Sequence, residues 1–329
     1  MLQFPRVGDR EGQRDSDEES STVPPLLCAA VITGSTDPPS CHLARFRADH
    51  GKDFMLPVIT LTTDFGLQDA YVAAMKGVIL GINPNANIVD ICHSIKPQNI
   101  DEAAFLLSTA HPHFPKDTIH TIVVDPEVGS QRRAIILRTP QAFFVAPDNG
   151  VLSYIIRRHA SPRGSPTRVR LVRLPPGIAA VEITNPRFWH HPVSTTFHGR
   201  DILAPVAAHL SLGVPLQEFG GPVTPLHAFA LPHPRPGQGG ELAGNVLHID
   251  GFGNIITNIR PEDLPSERFR LEIAGQCIDS LSSTFASAGV DQLLAYIGSS
   301  GYLEIAVRNG SAAARLAVKI GDQLRTKKG

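Results

Sequence analysis

The fold of this chain is decided by Val58-Ile-Thr-Leu-Thr-Thr63 and the run that follows it to residue 124. Val58–Thr63 is rich in β-branched residues, the composition of a strand. Residues 67–82 repeat apolar side chains at helical spacing, with Tyr71, Met75, Val78 and Ile82 on one face, until Asn83-Pro84 ends the run. Residues 87–91 predict a second strand, Ile100–Ala110 a second helix and residues 118–124 a third strand. Strands alternating with helices argue for an α/β fold with a largely parallel sheet. Such sheets place ligands beyond the carboxyl ends of their strands, and Asp64 and Asp125 fall at two of those ends.

Downstream, residues 134–137 and 143–146 predict further strands, Asp148-Asn-Gly150 a turn that opens a short helix, and residues 201–210 another helix. Leu231-Pro-His-Pro-Arg-Pro-Gly-Gln-Gly-Gly240 is a Pro/Gly linker. Short strands are then expected at Leu242–Ile249, 254–259, 268–273, Leu293–Ile297 and 302–307, the pattern of a small β domain. The expected organisation is an α/β N-terminal domain over 55–230, a linker over 231–240 and a C-terminal β domain over 241–329. Upstream, residues 1–54 hold a charged, Ser-rich run and Pro-Pro and Gly-Ser punctuation, and are expected to be a disordered extension. Met55 directly precedes the first strand and is an alternative start. No internal repeat is present.

At 329 residues the chain is long enough for two domains. A hydrophobic content of 42% with 19% charged residues is ordinary for a globular protein. The formal net charge of -1 gives no field that would draw nucleic acid or an anionic membrane. Cys28, Cys41, Cys92 and Cys277 are scattered, which argues against a disulfide framework or a zinc ribbon. No apolar run reaches the roughly 20 residues that span a bilayer, and the charged start does not read as a signal peptide. The expected location is the cytoplasm.

Two motifs carry chemistry. Val124-Asp-Pro-Glu-Val-Gly-Ser-Gln-Arg-Arg133 sets a carboxylate, Asp125, and a guanidinium, Arg132, on either side of a Pro/Gly turn. Ser194-Thr-Thr-Phe-His-Gly-Arg-Asp201 carries His198 in a run of small and polar residues that opens a helix. Asp, Arg and His together can bind, orient and deprotonate a water. The plainer reading has Asp125 capping a turn and Arg132 paired at the surface, and spacing alone leaves both open. Arg133 reads as structural. His111/His113 and His190/His191 lack a third ligand at metal spacing, so they read as loop residues and no metal site is expected. There is no Gly-x-Ser-x-Gly elbow and no Gly-x-Gly-x-x-Gly after a strand, so neither a serine hydrolase nor a dinucleotide site has support.

Further blocks accompany these: Leu61-Thr-Thr-Asp-Phe-Gly66, Met75-Lys-Gly77, Ile82-Asn-Pro84, Asp90-Ile-Cys-His-Ser94, Ala146-Pro-Asp-Asn-Gly150, Asp250-Gly-Phe-Gly-Asn-Ile-Ile-Thr-Asn258 and the segment 298–311. In this order they resemble the S-adenosyl-L-methionine hydroxide adenosyltransferase family, the SAM hydrolases, whose relatives include fluorinases and chlorinases. The resemblance runs from about residue 59 to 324. It implies a Rossmann-like N-terminal domain and a C-terminal β-barrel. It also implies a homo-trimer in which each active site lies between the N-terminal domain of one subunit and the C-terminal domain of its neighbour.

The resemblance implies roles as well. Asp125, Arg132 and His198 match a water-activating triad. Asp64 matches the residue that takes the ribose hydroxyls, and an acceptor-only carboxylate suits a vicinal diol; its plain alternative is a helix N-cap. Asp250, Phe252 and Asn254 match a ligand segment in which Asp250 takes the methionine ammonium and Asn254 reads the adenine edge; the same residues also suit a hairpin turn. Ser299 and Ser300 fall where the methionine carboxylate binds, and Asn309 where backbone meets adenine. The family usually has Gly where Glu127 stands, so Glu127 is expected to strain the turn or add a carboxylate near the site.

The activity implied is hydrolysis of S-adenosyl-L-methionine to adenosine and L-methionine, by water attacking the ribose 5′ carbon, with no metal or redox cofactor. One alternative is halide attack on the same carbon. Halide-using relatives carry an extra loop and a Tyr/Thr/Ser pocket, whereas here Asp125 replaces the tyrosine and Gly199 the serine, and a carboxylate at the nucleophile site repels halide. The other alternative is non-catalytic binding of S-adenosylmethionine or adenosine, should Glu127 spoil the turn.

Overall fold

The computed structural model describes residues 58–159, 169–237, 240–264 and 269–328. The expected extension over 1–54 and Met55 lie outside the described residues. The first part of the chain runs β1 (Val58–Thr63), α1 (Tyr71–Ile82), β2 (Asn87–Cys92), α2 (Ile100–Ala110), β3 (Thr118–Val123), β4 (Ala134–Arg138), β5 (Ala142–Pro147), α3 (Ser153–His159), β6 (Arg170–Val172) and β7 (Ala179–Glu182). A π-helical turn (Gly199–Leu203) leads into α4 (Ala204–Ser211), and β8 (Leu226–Ala228) pairs with β6.

Six of these strands form one sheet in the order β2-β1-β3-β5-β4-β7. β2, β1, β3 and β5 are parallel, and β4 is antiparallel to both its neighbours. Side chains alternate across the strands. Ile59, Leu61, Ile119 and Val123 pack with α1 and α4 on one face. Ile122, Ile135 and Leu137 pack with α2 and α3 on the other. β3 is buried along its whole length, as a central parallel strand between two helical layers must be. The chain leaves β1 on one side for β2 and returns on the other as β3. That reversal opens a crevice between the carboxyl ends of β1 and β3.

Two local expectations shift. The first helix starts at Tyr71, four residues later than its apolar spacing suggests, because the chain after β1 is held in a loop where Gly66 (φ 67) donates its N–H to the His93 carbonyl at 2.7 Å. Its buried stripe is therefore Val72, Met75 and Ile79, and Tyr71 is left 48% exposed. The helix expected over 201–210 begins earlier, as the π-helical turn, and ends one residue later.

The second part of the chain holds β9 (Arg235–Pro236), β10 (Leu242–Ile249), β11 (Ile255–Thr257), β12 (Phe269–Ile273), β13 (Gln276–Ile278), β14 (Leu293–Ile297), β15 (Leu303–Val307), α5 (Ala312–Leu316) and β16 (Gln323–Lys328). Their order is β13-β12-β16-β10-β11-β15-β14, all antiparallel, and a bridge from Leu281 to Ala295 brings the two ends together into a nearly closed barrel. Its core includes Val246, Ile255, Leu271, Leu303 and Ile305. The Pro/Gly linker is not featureless: β9 within it pairs with Leu242 and Ala243, at a sheet edge where proline is tolerated. The sheet and the barrel belong to one compact unit. Phe105, Tyr154, Leu247, Ile256 and Tyr302 form an apolar cluster between them.

Candidate active site

The crevice between β1 and β3 is built from loops that follow strands. Asp64 comes directly after β1, and its Oδ2 accepts the backbone N–H of Gln98 at 2.7 Å. Asp64 thus braces the loop before α2 rather than capping α1, whose N-cap position is Ala70. Asn99 caps α2 instead, accepting the Glu102 N–H at 3.1 Å.

Asp125 lies two residues beyond the end of β3, in a turn closed by Val128 N–H to the Asp125 carbonyl. Gly129 takes the positive φ of this turn (81°), and a Cβ there would sit 2.4 Å from the Thr195 carbonyl oxygen. The turn therefore packs directly against the loop that carries His198. Glu127 keeps a negative φ and is exposed. The strain expected of it does not arise, because Gly129 adopts the left-handed conformation, and Glu127 does not line the crevice.

Arg132 returns from the turn to Asp125. Its Nε donates to Asp125 Oδ2 at 2.6 Å, its Nη2 also contacts Oδ2, and both side chains are only 5% exposed. The same Nη2 donates to His198 Nδ1 at 3.2 Å. The three residues are thus one connected group. A guanidinium only donates, so Nδ1 bears the lone pair and the neutral ring carries its proton on Nε2. Burial first, and the adjacent Arg132 second, hold His198 below the usual imidazole value, which keeps it neutral. Asp125 Oδ1 is buried and has no hydrogen-bond partner. Neighbouring Arg133 pairs with Asp148 and the Pro225 carbonyl, outside this group.

His198 owes its position to two features of its motif. Gly199 allows close approach to the sheet: a Cβ there would lie 2.9 Å from Val123 Cγ1. Asp201 is fully buried and gathers the loop, accepting the Ser194 N–H at 2.8 Å and two guanidinium bonds from Arg200 at 2.6 and 3.0 Å. The resulting cavity is about 310 Å³. Phe65, Tyr71 and Phe197 wall it, with ring centroids 5.2–5.7 Å apart. Tyr71 and Phe197 had no assigned place in the site from sequence; the motif blocks that contain Phe65 and Phe197 were the available signal.

The barrel residues gather elsewhere. Asp250, Phe252, Asn254, Ser299 and Asn309 line a wide pocket of about 960 Å³ on the barrel. Asp250 is engaged by its own turn: Oδ1 accepts the N–H groups of Phe252 and Asn254, and Oδ2 accepts Asn254 Nδ2 at 2.9 Å. Phe252 projects from the tip, 82% exposed. Ser300 does not line this pocket; its hydroxyl donates to Glu304 Oε1 at 3.2 Å. Glu304 also accepts the Tyr296 hydroxyl at 2.7 Å, and Tyr296 lies 4.9 Å from Phe285. Glu304 and Tyr296 were not singled out from sequence, because their meeting depends on the pairing of β14 with β15. The crevice and the barrel pocket share no lining residue. Among the described residues there is no group of three His, Cys, Asp or Glu side chains placed to hold a metal ion.

An α/β sheet with a carboxylate–guanidinium–imidazole group at its switch point, followed by a small antiparallel barrel, defines a class of two-part chains. The SAM hydroxide adenosyltransferase N-terminal domain matches residues 59–220, and the C-terminal domain of the same family matches residues 244–325. The chain belongs to the SAM hydroxide adenosyltransferase family. It is 39% identical over 278 residues to an (R)-S-adenosyl-L-methionine hydrolase from Salinispora arenicola, covering 83% of this chain and 98% of that protein. An enzyme of the same description from Thermus thermophilus is 36% identical, covering 82% and 99%. A fluorinase from Actinoplanes is 31% identical, covering 78% and 93%. A solved structure of a conserved protein from Thermotoga maritima superposes with a TM-score of 0.72 at 34% identity, covering 82% of this chain and all of that one.

Proposed function

We propose that this chain hydrolyses S-adenosyl-L-methionine to adenosine and L-methionine. The observation that carries the mechanism is Asp125 Oδ1, a buried acceptor with no partner beside a fully connected Arg132 and His198. A water in the crevice donates one hydrogen to Oδ1. The Nε2–H of His198 is a donor for the water's oxygen, so it orients rather than deprotonates. Asp125 is then the base, and the expectation that histidine shares that task gives way to the direction of the Arg132 bond. The water oxygen forms a bond to the ribose 5′ carbon as the carbon–sulfur bond breaks. The electron pair stays on sulfur, giving a neutral thioether, and the water's proton passes through Asp125 to solvent. A sulfonium leaving group needs no acid, so the chain's part is to position and desolvate the nucleophile. The proposed reaction requires neither a metal nor a redox cofactor.

In this reading Asp64 takes the ribose hydroxyls, and the barrel residues Asp250, Phe252, Asn254, Ser299 and Asn309 hold the rest of the substrate. Ser300 acts through Glu304. Because crevice and barrel pocket share no lining residue, a single ligand joins them most simply across two copies of the chain. We therefore propose a homo-trimer with sites between subunits, working in the cytoplasm. No described helix is long and apolar enough to cross a membrane. Incubation with S-adenosyl-L-methionine, with and without chloride, tests the activity: adenosine and methionine are expected in both. A chlorinated nucleoside, or no product, would overturn the reading.

A further inference from the structure

Between α2, α3 and the barrel runs a cleft of two lobes, each about 360 Å³, which meet at Tyr154, Pro232 and Leu247. Each lobe is large enough for a small molecule. One is mostly apolar, walled by Phe105, Phe229, Val246 and Ile320, with Asp101 and Arg235 also in its lining. The other is polar and contains Asn258, Arg260, Ser299, Ser300 and Tyr302. No member of the Asp125–Arg132–His198 group lines either lobe, and neither do Asp64 or Asp250; Ser299 of the polar lobe is shared with the barrel pocket.

In the polar lobe one buried donor lacks an acceptor, and a nearby guanidinium lacks a carboxylate partner. Asn258 is 3% exposed, and its Oδ1 accepts the Asn245 N–H at 2.7 Å. That bond fixes the amide's orientation and leaves Nδ2 buried with no partner. An unmatched buried donor is costly. Two residues on, Arg260 is extended (φ -112, ψ 165), and side chains two apart on extended chain share a side. Its Nη2 donates to the Tyr302 hydroxyl at 2.7 Å, and its guanidinium carbon stands 4.1 Å from that ring's centroid. The cation is therefore held in place. Two carboxylates, Glu262 and Asp263, border the same lobe, and Asp263 Oδ2 accepts the Arg260 backbone N–H at 2.9 Å. Among the described residues no carboxylate pairs with Arg260.

We propose that this cleft binds a small amphipathic carboxylic acid, with its carboxylate on Arg260 and Asn258 Nδ2 and its apolar body running past Tyr154 into the apolar lobe. A bare oxyanion would fill only the polar lobe. A neutral apolar compound would leave Asn258 Nδ2 without an acceptor and Arg260 without a counter-charge.

Calorimetric titration of the full-length chain with hexanoate, hexanol and acetate tests this. Hexanoate is expected to bind saturably and at least about tenfold more tightly than either of the others, the scale of a hydrogen bond to a charged group. Arg260→Gln, at an exposed position, is expected to bring hexanoate down to the level of hexanol while the chain stays folded, as circular dichroism checks. Ala243→Leu, which narrows the apolar lobe, is expected to weaken hexanoate and leave acetate unchanged. The proposal is overturned if hexanoate shows no saturable binding, if hexanol binds as well, or if Arg260→Gln binds hexanoate like the parent chain.

Discussion

At the level of single residues, the chemistry depends on which atom of the Asp125–Arg132–His198 group is left to accept. Asp125→Asn keeps the shape but replaces a base by an amide, and turnover is expected to fall by at least ~10²-fold, the usual scale for lost base assistance. His198→Ala is expected to fall on a similar scale, with KM moving much less in both. The residues act on one water, so the double variant is expected to be little worse than the worse single one. Steady-state kinetics on the three variants checks this; independent, multiplying losses would argue that they do not share a task. Arg132→Lys is expected to be damaging, because an ammonium cannot donate in a planar fork to a carboxylate and an imidazole at once. The state of His198 gives a pH signature. Its proton affinity is lowered by burial and by Arg132, so the neutral ring persists below the ordinary value of about 6.5. Protonating Nδ1 would remove the acceptor for Arg132. A kcat profile is expected to stay level through neutral pH and to fall on the acid side, with its midpoint below 6.5. A loss of activity on raising the pH through 6.5 would contradict the assignment.

At the scale of elements, two loops meet at one glycine. Gly129 carries a positive φ, and its Cβ position is 2.4 Å from the Thr195 carbonyl oxygen. Gly129→Ala is expected to push the turn of Asp125 away from the loop of His198, costing at least ~10-fold in kcat. A shift of 1 Å at a positioned group is enough for a loss of this kind. An alanine variant with parental kcat would show that the two loops need not touch. Much of this architecture was legible in the sequence. β1, α2, β10 and β14 fall where expected, because long β-branched or periodic runs bounded by Asn, Pro and Gly leave little choice of element. β6, β8 and β13 were not, because three residues are too short to show any period. β16 hides its alternation, burying Leu324 and Thr326 in a run that is otherwise charged and polar. Asp125, Arg132 and His198 could be named because compact motifs carry them. The apolar spacing puts Tyr71 on one helix face with Met75 and does not show that it lines the crevice, because α1 starts only at Tyr71. Glu304 was silent in sequence because its partners Tyr296 and Ser300 come from the neighbouring strand and turn.

At the scale of the molecule, stability should depend on pH through a residue far from the crevice. His120 is fully buried on β3, with Nδ1 at 2.8 Å from Thr60 Oγ1 and its ring stacked on Phe144. Burial, with a smaller contribution from His111, lowers its pKa to about 3. Between about 6.5 and 3 the unfolded chain holds a proton there that the folded chain does not. Stability is therefore expected to be lost as pH falls through that window, at up to about 1.4 kcal/mol per pH unit. Urea unfolding at several pH values checks this, and His120→Phe is expected to flatten the slope; an unchanged slope would place the acid sensitivity elsewhere. The proposed trimer is tested by light scattering at working concentration. A monomer that still turns over substrate would show that one chain completes its own site. The central claim is attack of water on the ribose carbon, and it is tested most directly by turnover of S-adenosyl-L-methionine in ¹⁸O-water with mass analysis of both products. One labelled oxygen is expected in adenosine and none in methionine; label in methionine, or unlabelled adenosine, would contradict attack at that carbon.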